Sequence, residues 1–189
     1  MNVLLIRHGE PVSGPDCGPD PGLTKLGRSQ AALMASHISN EPIDALYVSP
    51  QLRARQTAKP LAVALGLEPV VEERIAEFDY GDDRYIAPHE LPNLSAEVIA
   101  GLQARMKSPE FLQRVRYGFE TIVGSHSSGR VAVVCHGVVI NTIVRNVVGS
   151  DQLHMRAGHC SATRLQLTVD GRWILEALNE RHWLEETGL

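Results

Sequence analysis

The chain has 189 residues, 43% of them hydrophobic and 21% charged, and its 18 Lys and Arg against 22 Asp and Glu give a formal net charge of −4. This is the composition of an ordinary globular protein, and the acidic balance argues against nucleic acid or an anionic membrane as partner, since both call for a basic face. A chain of this length buries roughly 70% of its unfolded surface on folding, enough for one packed core, so a single domain spanning 1–189 is expected.

Residues 3–6 are a short β-branched and aliphatic run that predicts a buried strand, stopping at Arg7-His8-Gly9. Residues 11–22 hold four Pro and three Gly and predict a loop, after which Leu26, Ala31, Met34 and Ile38 recur at helical spacing. Residues 45–48 predict a second strand. Ser49-Pro50 then suits a helix start, with Ser as cap and Pro in the first turn, and Gly66 suits the stop after Leu65. A weaker strand is expected at 68–71, and the charged, turn-rich 72–93 segment reads as a functional loop or lid.

Helical spacing returns at 95–106 and 109–123. Residues 131–135 are the clearest strand of the chain, ending at His136-Gly137 and followed by a helix over 138–148 with Gly149 as its stop. Asp170-Gly171 between two strand-like runs predicts a hairpin with a two-residue type I′ turn. Strands alternating with helices predict a three-layer α/β/α sandwich, its sheet mainly parallel with a C-terminal antiparallel hairpin. No apolar run approaches the ~20 residues of a membrane span. The N-terminus lacks the basic region of a signal peptide, and Cys17, Cys135 and Cys160 are an odd set without C-x-x-C spacing, so reduced thiols in the cytoplasm are expected.

The two best strands stop at the same dipeptide, His8-Gly9 and His136-Gly137. Ligands of open α/β sheets bind at the carboxyl ends of strands, so both imidazoles can face one crevice. Arg7 adjoins the first, and Arg53 falls in the first turn of the helix after the second strand, where free backbone N–H groups favour an anion. Two guanidinium forks match a phosphoryl group and repel a metal ion, and neither a G-x-S-x-G turn nor a Walker loop occurs. Unrelated strand-end histidines and a solvated arginine face are the plainer alternative.

Leu5-Ile6-Arg7-His8-Gly9-Glu10, Leu23-Thr24-Lys25-Leu26-Gly27-Arg28, Val48-Ser49-Pro50-Gln51-Leu52-Arg53-Ala54-Arg55-Gln56-Thr57-Ala58, Glu77-Phe78-Asp79-Tyr80-Gly81 and Val134-Cys135-His136-Gly137 occur in that order. In this the chain resembles the histidine phosphatase superfamily, the phosphoglycerate mutase-like proteins. The resemblance implies a phosphatase that uses no metal or other cofactor and hydrolyses a small phosphomonoester through a phosphohistidine. It makes His8 the nucleophile, Arg7, Arg53 and His136 the phosphate pocket, and Glu77 the general acid, with Asp79 and Asp82 as rivals for that last role.

Gly14 stands where many members carry a phosphate-binding Asn, and the Trp and Gly-Arg features of glycolytic mutases are missing, which favours a phosphatase over a mutase. A non-catalytic phospho-ligand-binding module is the third reading. Residues from about 79 to 125 are expected to form a cap or insert, with Arg84, Arg105, Lys107, Arg114 and Arg116 either meeting the substrate or lining a solvated face. His89, His126, His154, His159 and His182 read as ordinary surface or core histidines. The oligomeric state is left open.

Overall fold

A computed structural model describes residues 1–185. Six strands, β1 (Asn2–Arg7), β2 (Ala45–Val48), β3 (Val70–Val71), β4 (Arg130–Cys135), β5 (Ala162–Leu167) and β6 (Trp173–Glu180), form one sheet in the order β3-β2-β4-β1-β5-β6. The pairs β3–β2, β2–β4 and β4–β1 are parallel, whereas β5 runs antiparallel to both β1 and β6. In β1, Leu4 and Ile6 point to one face and Val3 and Leu5 to the other, as a strand's period of two requires.

The first face packs on α1 (Lys25–Ile38), α2 (Leu52–Leu65) and α6 (His182–Glu185) through Met34, Ile38, Leu61 and Trp183. The second packs on α4 (Pro109–Gly124) and α5 (Gly137–Val148) through Phe111, Val115, Phe119, Val139 and Ile143. This is the three-layer sandwich that the alternation of elements predicts. Both central strands, β1 and β4, are apolar on both sides because helices cover both faces. No helix among the described residues is long and apolar enough to cross a membrane.

Three local expectations are corrected. The N-cap of α2 is Gln51, not Ser49. The free N–H of Leu52 at that helix start is taken by both oxygens of the Asp20 carboxylate, at 3.0 Å each, so the chain supplies its own anion there. The hairpin turn is longer than two residues: Thr168 accepts the Gly171 N–H and pairs with Arg172, and in the turn only Gly171 has positive φ, at 78°. A type I′ turn needs positive φ at both central residues, and Asp170 does not adopt it, so a three-residue loop with a left-handed Gly closes the hairpin instead.

Residues 79–125 divide between two roles. The helix α3 (Ala96–Met106) has no buried residue and stands outside the sandwich, whereas α4 is a full member of the second helical layer. The stripe Phe111, Val115, Gly118, Phe119 and Ile122 draws α4 onto the sheet. Gly118 lets it approach closely, since a Cβ there would lie 2.7 Å from that of Arg74. Trp173 stacks near Phe119 and Trp183 is buried, so both tryptophans are packing residues.

Candidate active site

β1 and β4 are parallel and in register, Arg7 opposite Cys135, so His8 and His136 leave the sheet side by side. Their ring centroids are 5.2 Å apart. His8 is 3% exposed, and His136 and Arg53 are fully buried. A bond from the His8 N–H to the Cys135 carbonyl, at 3.0 Å, ties the two strand ends together.

The turn after His8 is held by close backbone packing. A Cβ on Gly9 would lie 2.6 Å from the Gly27 carbonyl oxygen, and one on Gly27 would lie 2.1 Å from that of Glu10. Neither position admits a side chain. The Gly9 N–H donates to Thr57 Oγ1 at 2.9 Å, whose hydroxyl donates to the Arg53 carbonyl at 2.7 Å, linking the turn to the helix that carries Arg53.

His8 Nδ1 lies 2.7 Å from the Gly9 carbonyl, to which it donates in the neutral imidazole, leaving Nε2 as the ring's free lone pair. Burial, then Arg7, His136 and Arg53, push the His8 pKa well below the usual imidazole value. Burial and the same two guanidinium groups do likewise to His136. His136 Nε2 is 2.7 Å from Ser49 Oγ, and Ser49 accepts weakly from the Gln51 N–H, which leaves its proton for the ring. With Ser49 donating to that ring nitrogen, the proton of neutral His136 sits on Nδ1.

Arg7 Nη1 donates to the Ala157 carbonyl at 2.6 Å, and Arg53 Nη2 donates to both oxygens of Asp79, at 2.8 and 3.0 Å. Arg7 Nε, Arg53 Nε, Arg53 Nη1 and His136 Nδ1 are buried and without a hydrogen-bond partner among the described residues, although Asp20 lies 4.0 Å from Arg53 Nη1. Buried donors are rarely left unpaired, and these four belong to the residues whose charges act on His8 or whose ring faces it, a set whose chemistry suits an anion. The same set is hostile to a cation, and no group of three or more His, Cys, Asp or Glu able to hold a metal occurs among the described residues.

The two carboxylates beside the pocket are sorted by their partners. Asp79 is occupied by Arg53 and by Gln51 Nε2, at 2.9 Å, and Gln51 Oε1 accepts the Glu77 N–H at 2.7 Å. Glu77 has no cationic side chain bonded to it. Among the described residues its oxygens accept the N–H groups of Phe78, at 3.2 Å, and of Val138 at the start of α5, at 3.0 Å. Burial, reinforced by the charge of Asp79, raises its pKa to about 7. The Asp82 carboxylate is paired with Arg105, while its backbone N–H bonds the Asp79 carbonyl.

The other predicted arginines serve the scaffold. Arg84 pairs with Glu90, Arg116 with Glu120, and Arg114 donates to the carbonyls of Arg74 and Ala76. Two residues that sequence reasoning missed stand at the pocket. Tyr85 is buried, and the Arg53 guanidinium lies 4.8 Å from its ring centroid. His159 lies 5.7 Å from the His8 ring, and burial with Arg7 and Arg181 lowers its pKa to about 3. Neither belongs to a segment with a readable motif; the only signal for Tyr85 was its place in the 72–93 loop, and for His159 there was none.

The fold and this pocket define an α/β protein with two histidines and two arginines gathered at the carboxyl ends of parallel strands. A family model described as histidine phosphatase superfamily (branch 1) matches residues 3–181, and the chain belongs to that family, with the phosphatase class of activity it carries. Phosphoserine phosphatase 1 of Hydrogenobacter thermophilus is 31% identical over 173 residues, covering 80% of this chain and 78% of the relative. A probable phosphoglycerate mutase of Erwinia tasmaniensis is 24% identical, covering 100% of this chain and 97% of its own.

Among solved structures, the mycobacterial glucosyl-3-phosphoglycerate phosphatase in complex with VO3 superposes with a TM-score of 0.75 at 22% identity, covering 94% of this chain and 98% of that one. A putative alpha-ribazole-5'-P phosphatase of Escherichia coli gives 0.78 at 21% identity, covering 96% and 98%. These two likenesses concern the fold.

Proposed function

We propose that the chain is a metal-independent phosphomonoesterase acting on a small phosphorylated metabolite through a phosphohistidine on His8. The observation that carries this reading is the free Nε2 of His8 together with four buried donors, on the neighbouring Arg7, Arg53 and His136, that have no hydrogen-bond partner. Phosphate oxygens satisfy those donors on binding, and the charge that builds up during transfer falls on groups already oriented to receive it.

In the first step the Nε2 lone pair forms a bond to phosphorus as the bond to the ester oxygen breaks. Protonated Glu77 gives its proton to that leaving oxygen, so an alcohol departs and a carboxylate remains. In the second, Glu77 takes a proton from water as the water oxygen attacks phosphorus. The N–P bond breaks and inorganic phosphate leaves, restoring neutral His8 and protonated Glu77. A pKa of about 7 suits a group that must be acid and then base in one cycle. Asp79 is the positioning partner of Arg53, and not the acid, because its oxygens are already occupied.

The chain acts as one domain with residues from about 79 to 125 as its cap or insert, of which α4 packs into the sandwich. The three free thiols fit a cytoplasmic setting. The relatives named for phosphoserine and phosphoglycerate support a small anionic metabolite as substrate, and the mutase among them supports phosphoryl return to a bound acceptor as the second reading.

The test is rapid acid-free quench of the protein mixed with a 32P-labelled monoester. Wild type should carry an acid-labile, alkali-stable label and release phosphate, while His8→Ala should do neither. Hydrolysis surviving in His8→Ala sinks the assignment. Phosphoryl transfer to added 3-phosphoglycerate in preference to water selects the mutase.

A further inference from the structure

His37 closes the last turn of α1 and His182 opens α6, far apart in sequence. Their Nε2 atoms face each other 3.1 Å apart, with the rings nearly perpendicular at a centroid distance of 4.6 Å. Both imidazoles are exposed. The ring of Trp183 lies 5.0 Å from that of His37 and 4.9 Å from that of His182, and so fixes the space on one side of the pair.

We propose that His37 and His182 form a surface site for a borderline divalent transition cation, Cu2+, Ni2+ or Zn2+, with water completing the coordination. Two imidazole nitrogens each bound at about 2.0–2.1 Å to one ion stand about 2.9 Å apart at a right angle and about 3.4 Å apart at the tetrahedral angle. The observed separation lies between these limits, so either geometry needs only a few tenths of an ångström of movement. Two neutral imidazoles can share only one hydrogen bond, whereas an ion uses the lone pair of both. Magnesium and calcium are excluded by their preference for oxygen.

The site would clamp α6 onto α1. That matters to the fold because α6 places Trp183 and Leu184 in the first core, and Trp183 Nε1 donates to the Cys160 carbonyl at 3.2 Å. The Cys160 N–H in turn bonds the carbonyls of Arg7 and His8. A clamp at residues 37 and 182 therefore steadies the segment on which His8 is mounted, without touching the pocket.

The experiment uses the untagged full chain carrying Trp173→Phe, so that Trp183 is the reporter, titrated with CuCl2 in a non-coordinating buffer. Saturable 1:1 quenching is expected with a Kd on the order of 10 μM, about half the binding free energy of a four-ligand site. His37→Ala and His182→Ala should each weaken binding at least about tenfold, while His154→Ala, at an exposed histidine elsewhere, should leave it unchanged. The copper electron paramagnetic resonance spectrum should show two coordinated nitrogens. Circular dichroism melts without metal establish that the variants are folded, and His37→Gln repeats the test with a side chain that still hydrogen-bonds. Absence of quenching up to about 1 mM copper, or wild-type titrations in both alanine variants, overturns the proposal and leaves a simple hydrogen bond.

Discussion

Replacing Glu77 with Gln keeps the size of the side chain and one of its two bonds from backbone N–H groups, and removes its titration. In the native protein burial and Asp79 raise the Glu77 pKa from 4.5 to about 7. The proton is needed for the leaving group, so kcat/KM should hold level at mildly acidic pH and fall about tenfold per unit above about 7 as the acid form is depleted. Glu77→Gln should lower kcat/KM on an alkyl monoester such as β-glycerophosphate by roughly 10²–10⁴-fold, the usual worth of a general acid. It should cost only a few-fold on p-nitrophenyl phosphate, whose leaving group needs little help. The alkaline limb should vanish on both.

Stability supplies an independent reading of the same shift. A carboxyl with a raised folded pKa binds more protons folded than unfolded between the two pKa values, so folding weakens as pH climbs from 4.5 to about 7. The full loss is about 3 kcal/mol, from roughly 1.4 kcal/mol per pKa unit. Urea denaturation should therefore find Glu77→Gln close to wild type at pH 4.5 and more stable by up to that amount at pH 8. Equal kinetic losses on the two esters, a surviving alkaline limb, or a stability difference that ignores pH would each refute the role assigned to Glu77.

Asp79→Asn removes a negative charge that holds the Glu77 proton, so the alkaline limb of kcat/KM should move to lower pH, and a limb that stays put or moves up would show that Asp79 does not act on Glu77. The same change removes the hydrogen-bonded ion pair of the buried Arg53, leaving only Asp20 at 4.0 Å, and should cost up to roughly 3–5 kcal/mol in chemical denaturation. Gly27→Ala drives a methyl group to within 2.1 Å of the Glu10 carbonyl oxygen, so the turn carrying His8 must shift. A loss of about 2–4 kcal/mol of stability and a fall in kcat with a smaller change in KM are expected; unchanged melting temperature and kcat would mean that the turn yields freely.

The strand ends and helix stripes were legible in the sequence because their causes are local. A β-branched run that halts at His-Gly, twice, announces two strand termini, and once the fold is α/β those termini meet at one edge. The apolar spacing of α4 was equally visible, but not that it joins the second layer while α3 stays outside; that depends on whether an amphipathic stripe finds a sheet face to cover, which is a property of the assembled molecule. The choice between Glu77 and Asp79 had the same character. Two carboxylates two residues apart look alike as letters, and they part company only when Arg53 and Gln51 occupy one while burial isolates the other.

Ser49 looked like a helix cap and is the partner of His136, because the helix starts at a residue that the packing of β2 against β4 dictates. Tyr85 reached the pocket with no signal beyond its place in the 72–93 loop and His159 with none, and the facing pair of His37 and His182 likewise exists only after α1 and α6 have packed together. What the sequence determined on its own was therefore the order and type of the elements and the kind of chemistry at their ends, since both follow from short-range pattern. What the tertiary structure decided was which side chains lose their water and which keep a partner. Those are long-range outcomes of burial, and they set every pKa on which the proposed reaction depends.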